Sequence, residues 1–158
     1  MSRAAHGIKA ALLGALYFYG PSVAADNLGA CPVSDEQFFS QLSKARDWAA
    51  FYSMYQINVL HCPDDGFYAE GYSDRVVYLL ANRWSDLPTL SHLIQSDQEF
   101  RVFVYRHIDA TADTDELKRL QANAQYRCPT GSFAICQALA RSTKVALADA
   151  NSSQRNVE

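Results

Sequence analysis

Outside the amino-terminal leader, the side chains best able to do chemistry are three histidines, four cysteines and one dense run of acids. None of His61, His92 and His107 stands in a His-Glu-x-x-His metal motif. The chain also has no Gly-x-Ser-x-Gly nucleophile elbow and no glycine-rich phosphate loop. His107 falls on the apolar face of a helical pattern near its end, where a satisfied, half-buried imidazole is expected rather than a catalyst. His61, just ahead of Cys62-Pro63, sits at a helix end where the dipole favours a cation.

The acid run covers residues 107–116 and includes Asp109, Asp113, Asp115 and Glu116. Calcium takes hard oxygens of this kind from a loop, but the spacing departs from the Asp-x-Asp-x-Asp-Gly pattern of an EF-hand. The preferred reading is that Asp113 or Thr114 caps a helix whose positive end Asp115 and Glu116 complement. Glu70 and Asp74, four apart on one helical face, have the form of a glycosidase carboxylate pair, a form equally common on a solvated helix. Gly71 costs helix stability, so a close approach to another helix or to a partner is expected there. Neither a cofactor nor a metal is expected from these patterns.

The cysteines Cys31, Cys62, Cys128 and Cys136 read as disulfide halves, because their even number goes with a leader for export. Three are followed by proline and then a polar cap, which places them at helix junctions. Cys128 and Cys136 are close enough for a turn through Pro129 and Gly131 to join them, and that bridge is the one expected. Cys31 and Cys62 flank a helical pattern over 35–59. Unbroken, it spans about 37 Å at 1.5 Å per residue, whereas bridged α-carbons lie within about 7 Å. A Cys31–Cys62 bond therefore requires a broken helix, and 53–58 is the stretch considered for the break.

Residues 1–25 have the three parts of a cleaved signal peptide: Arg3 and Lys9, an apolar run over 10–19, and small residues up to Ala25. Ten apolar residues fall short of the roughly 20 that cross a bilayer, so no membrane span is expected in the mature form. Leu28-Gly29-Ala30-Cys31 has the shape of a lipoprotein box, which makes a lipid anchor on Cys31 the alternative to a disulfide. The expected location is periplasmic or secreted.

Six helices are expected after the leader. Ser34 and Gln37 form a capping box ahead of the 35–59 pattern, whose second half, apolar on most sides, is expected to be the central helix. Tyr72, Val76, Leu79 and Leu80 mark a second helix, and Asp86 caps a third carrying Leu90, Leu93 and Ile94. Ser96 with Glu99 opens a fourth, with Phe100, Phe103, Val104 and His107 on one face. The competing strand over 101–108 is set aside because of that cap. Leu117, Leu120 and Ala124 mark a fifth, and Ile135, Cys136, Leu139, Thr143 and Leu147 a last one opened by Ser132. The fold class is thus all-α, a disulfide-stapled bundle of five or six helices over 26–148, with 149–158 as a flexible tail.

Removing 1–25 leaves twelve basic residues against seventeen acidic ones, a net charge near −5. A general nucleic-acid binder shows a dense basic face instead. With catalytic motifs lacking, the expected function is a protein-binding module, of the inhibitor or immunity kind, in a bacterial envelope. Its partner is another protein, met by Tyr68, Tyr72, Asp109, Asp113, Asp115 and Glu116, since tyrosine is enriched in binding hot spots. An enzyme with a site assembled from distant helices and a structural envelope protein are the alternatives. A deep pocket joining His107, Asp109 and Glu70 would favour the enzyme.

Overall fold

In a computed structural model the described residues are 33–58 and 61–155, and among them the chain forms seven α-helices and no strand. These are α1 (Asp35–Lys44), α2 (Trp48–Asn58), α3 (Gly66–Asn82), α4 (Leu87–Ser96), α5 (Gln98–Arg106), α6 (Thr114–Tyr126) and α7 (Phe133–Arg155), with a 3-10 turn at Trp84–Asp86. The expected leader, the Cys31 lipid box and the Cys31 end of any Cys31–Cys62 bond lie outside the described residues. None of the described helices is long and apolar enough to cross a membrane.

The seventh helix comes from a break in the stretch expected to be continuous. α1 ends at Ala45, whose N–H still donates to Gln41 and Leu42 carbonyls. Asp47 then opens α2, its Oδ1 accepting the Ala50 N–H at 2.8 Å. A short acid that can cap three residues ahead competes with helix continuation without any glycine or proline. The break therefore falls at 45–47, not at 53–58, and it removes the length objection to joining the two ends of this stretch. α2 is not the central helix either, because its Ile57 is 67% exposed. That place belongs to α3, where Tyr72, Ser73, Val76, Val77, Leu79 and Leu80 are all buried.

Local signals explain most of the other helix ends. Ser34 and Gln37 close the expected reciprocal cap, with bonds of 3.3 and 3.1 Å. Asp113 accepts from the Asp115 and Glu116 N–H groups at 3.0 and 2.9 Å and so caps α6. α5 is capped one residue later than expected. Asp97 accepts the Phe100 N–H at 2.8 Å, while the Ser96 hydroxyl turns back to the Leu93 carbonyl. α7 folds back on α6 and continues to Arg155 with Ala150 buried, through seven residues of the expected tail. The Cys128–Cys136 disulfide joins the α6–α7 loop to the first turn of α7. Cys62 is buried in the α2–α3 loop.

The core is aromatic. Tyr72 meets Phe38 of α1 and Phe103 of α5 edge-on, both with ring centres 5.1 Å away, and Phe103 extends the contacts to Phe51 and Tyr55 of α2. Such edge-to-face pairs add to simple burial. Beside Tyr72, Gly71 lets α1 come close: a Cβ there would lie 3.0 Å from Leu42 Cδ1, 3.1 Å from Phe39 Cε1 and 3.2 Å from Phe38 Cε1. The close approach expected at this glycine is therefore an intramolecular one, onto α1.

Two stability outcomes follow. Gly71→Ala is expected to lower the urea midpoint despite a helix-propensity gain of about 1 kcal/mol. Phe38 is fully buried among other rings and cannot yield, and overpacking costs about 1–3 kcal/mol; a raised midpoint would refute the close approach. The double variant Cys128→Ser with Cys136→Ser is expected to lose about 2–3 kcal/mol through the short loop it reopens, and an unchanged midpoint would show that the bridge contributes nothing.

Candidate functional site

Two groups of polar side chains have a geometry that could serve function, one buried and one open. The buried group joins three elements. Ser73 of α3 donates to Asp109 Oδ2 at 2.7 Å and stands 3.0 Å from Nδ1 of His107, the residue that ends α5. A hydroxyl has a single proton, and the shorter contact takes it, so Nδ1–H of His107 donates to Ser73 Oγ. On its far side the ring presents Nε2 at 3.1 Å to Asp64 Oδ1, without the alignment of a hydrogen bond, and Arg106 pairs with Asp64 Oδ2. Asp109 Oδ1 accepts from the Thr111 N–H at 2.9 Å and from its hydroxyl at 2.6 Å.

Serine, histidine and aspartate in sequence resemble a nucleophile, its base and an orienting acid. The direction of the hydrogen bonds is opposite: the serine proton is committed to Asp109, and the imidazole donates where a base must accept. Ser73 is fully buried and His107 is 2% exposed, so no substrate reaches them. Glu70 stays outside the group, on an exposed position. Burial holds His107 down to about 4, Arg106 adds to the depression, and Asp109 opposes it. Asp64 also favours a proton on Nε2, but Arg106 already neutralises that carboxylate, so burial prevails. The group is a polar clasp, built around a neutral imidazole, between the α2–α3 loop, α3 and the end of α5.

The open group lines a groove of about 920 Å³. One wall is Phe39, Leu42, Ser43 and Arg46, a stripe that follows α1 and leaves it just beyond its end. The facing wall is Gly71, Asp74, Arg75 and Tyr78 on α3, and Asp113 and Glu116 close the side at the start of α6. Positions three and four apart share a helix face, so each long wall is one stripe of side chains. Phe39 is 37% and Tyr78 40% exposed, which leaves aromatic surface open on both walls.

The charges in this groove are unevenly satisfied. Arg83 pairs with Asp86 at 3.1 Å, Glu116 accepts from Asn82 at 2.9 Å, and Asp113 is spent on the α6 amides. Arg75 lies over the Tyr78 ring, 4.9 Å from its centre. Its Nε is buried with no hydrogen-bond partner, and no carboxylate among the described residues pairs with it. Burial lowers the Arg75 pKa; Tyr78, Glu116 and Asp74 oppose the fall, and Arg46 adds a smaller contribution to it. Burial raises the Asp74 pKa, and Glu70, Asp109 and Asp113 add to the rise.

The residues expected at a binding surface divide between these groups and the core. Tyr72 is fully buried, its phenol pushed up to about 12 by burial, and offers no surface; the helical stripe that made it a hot-spot candidate is the one that packs inward. Tyr68 is half-buried, donates to Asp35 at 2.8 Å and packs on Phe38. Asp109 belongs to the clasp, Asp113 and Glu116 line the groove, and exposed Asp115 pairs with Lys118. No three His, Cys, Asp or Glu side chains converge as a metal site among the described residues. Sequence reasoning missed Phe39, Arg46, Arg75 and Tyr78. The available signal was three-and-four spacing on each segment, 39, 43 and 46 on one and 71, 75 and 78 on the other, which puts one arginine on each stripe.

Compared with known protein families, with curated proteins and with solved structures, the chain matches none.

The clasp makes stability depend on pH. The unfolded chain binds a proton on His107 near pH 6.5, whereas the folded chain refuses it down to about 4. Stability from the neutral ring is therefore complete above 6.5 and declines as the pH falls towards 4, by at most about 3 kcal/mol. Urea unfolding across that window is expected to slope in the wild type and to flatten in His107→Gln; equal slopes would place the titration elsewhere.

Proposed function

We infer that the chain is an exported protein-binding module, of the inhibitor or immunity kind, acting in a bacterial envelope and receiving another protein along the α1–α3–α6 groove. The observation that supports this reading is the groove itself. Exposed Phe39 and Tyr78 line it, one on each long wall, beside Arg46 and Arg75, which make no ion pair among the described residues. Aromatic and arginine side chains are the types enriched where binding energy concentrates. Export is supported by the leader pattern and by the Cys128–Cys136 disulfide, a bond that persists in oxidising compartments. The disulfide and the aromatic core suit a preorganised surface, which loses little freedom on binding.

The enzyme reading draws on the Ser73–His107–Asp64 resemblance, and the burial and hydrogen-bond direction of that clasp count against it. The test is a photo-cross-linking side chain placed at Tyr78, with a second at Val145, an exposed position on α7 outside the groove. In the producing cells, Tyr78 is expected to capture one discrete protein that Val145 does not. Captures that are equal from both positions, or none from Tyr78, would overturn the reading.

A further inference from the structure

Arg75 is the least satisfied polar group on the accessible surface of the groove. Its Nε is shut off from water yet donates to nothing, a cost of about 1–3 kcal/mol for a buried donor. No nearby acid hydrogen-bonds to it, although the charges of Glu116 and Asp74 favour the charged form of Arg75. Glu116 is engaged by Asn82, Asp113 by two backbone amides, and Asp86, the partner of Arg83, lies outside the groove lining. Arg46, exposed on the opposite wall, makes no ion pair among the described residues either. The two guanidiniums thus line one groove without an ion pair, one of them lying over the Tyr78 ring. The two Nη groups of Arg75, unlike Nε, are not buried and make no hydrogen bond among the described residues, so they stay available to a planar, bidentate acceptor.

We propose that Arg75 and Arg46 form a carboxylate-binding subsite that takes an acidic side chain from a partner segment lying along the groove, with a neighbouring apolar side chain against Phe39 and Tyr78. The inference rests on the binding-module reading and specifies its chemistry. Three features select this occupant. Asp74, Asp113 and Glu116 line the same groove, so a phosphate or a polyanion meets more repulsion than a single carboxylate does. The aromatic surface beside the cations favours a ligand that carries apolar area next to its charge. Each helical stripe runs about 10 Å at 1.5 Å per residue. Arg75 stands within the α3 stripe with Gly71 and Asp74 before it and Tyr78 after it, where a passing segment places a side chain and a chain terminus would stop midway.

The test is an NMR titration of the full-length chain, read at the Arg75 Nε–H and at the Phe39 and Tyr78 amides. The probes are the tripeptide amide acetyl-Phe-Glu-Phe, its Gln counterpart, N-acetylphenylalanine and inorganic phosphate. The Glu peptide is expected to shift the Arg75 Nε–H saturably and to bind about tenfold or more tightly than the Gln peptide, the usual worth of a charge-assisted hydrogen bond. Arg75→Gln is expected to erase that preference while leaving distant resonances in place. Arg75→Lys is expected to keep only part of it, because the ammonium retains charge without the fork.

Equal binding of the Glu and Gln peptides, with shifts at Phe39 and Tyr78, would overturn the carboxylate subsite and leave the groove as a protein-binding surface. Phosphate moving Arg75 more strongly than the Glu peptide, or N-acetylphenylalanine binding more tightly than it, would overturn the acidic side chain as occupant. No groove shift with any probe would overturn the subsite, and if cross-linking from Tyr78 also captured nothing, the binding reading would fall with it.

Discussion

The close approach of α1 to α3 at Gly71 is the contact on which the remaining architecture depends. At this point α3 is buried on successive faces, because consecutive helical residues point about 100° apart. Gly71 admits Phe38, Phe39 and Leu42, Tyr72 enters the aromatic core between α1 and α5, and Ser73 reaches the His107 clasp. A single turn of one helix thus sets the distance to α1, the packing of α5 and the anchoring of the loop that follows it. The same approach brings the α1 and α3 stripes face to face, so the groove owes its walls to a missing side chain.

Polar chemistry is distributed along this helix by depth. Ser73 is buried and joins His107 to Asp109, which in turn is held by exposed Thr111. The imidazole remains neutral there because its charged form would lose more solvation than its neighbours return. Two residues later the helix surface opens, and Arg75 keeps its charge with only an aromatic ring beneath it. An internal clasp and an external cationic ledge are therefore about half a turn apart. The clasp fixes the end of α5 and the loop leading to α6, and Asp113 and Glu116 at the start of α6 form the third side of the groove.

Much of the fold was legible in the sequence because helix ends are local events. Ser34 with Gln37, Asp113, and the apolar spacing of Phe100, Phe103 and Val104 all act within one or two turns, and each does in the structure what its pattern implies. The break at 45–47 was harder to see. Asp47 reads equally well as a polar residue on the outside of a long helix, and only the fold of α1 onto α3 makes its capping role the better use. The exposed face of Ile57 and the length of α7 past residue 148 have the same origin: burial is conferred by what packs across, and that partner is distant in sequence.

The candidate site divides along the same line. Sequence alone determined the helical class and most helix positions. It also determined the Cys128–Cys136 bridge, since a separation of eight residues with a turn already brings those cysteines together. It placed Asp113 or Thr114 at the head of α6 for the same local reason, and the cap is Asp113. Only the tertiary structure decided that Tyr72 is core and not contact surface, that Asp109 serves His107 through Ser73, and that Arg46 and Arg75 share one groove. Those outcomes depend on which helix faces meet, and a one-dimensional pattern of spacing and caps carries no record of the partner that a face will find.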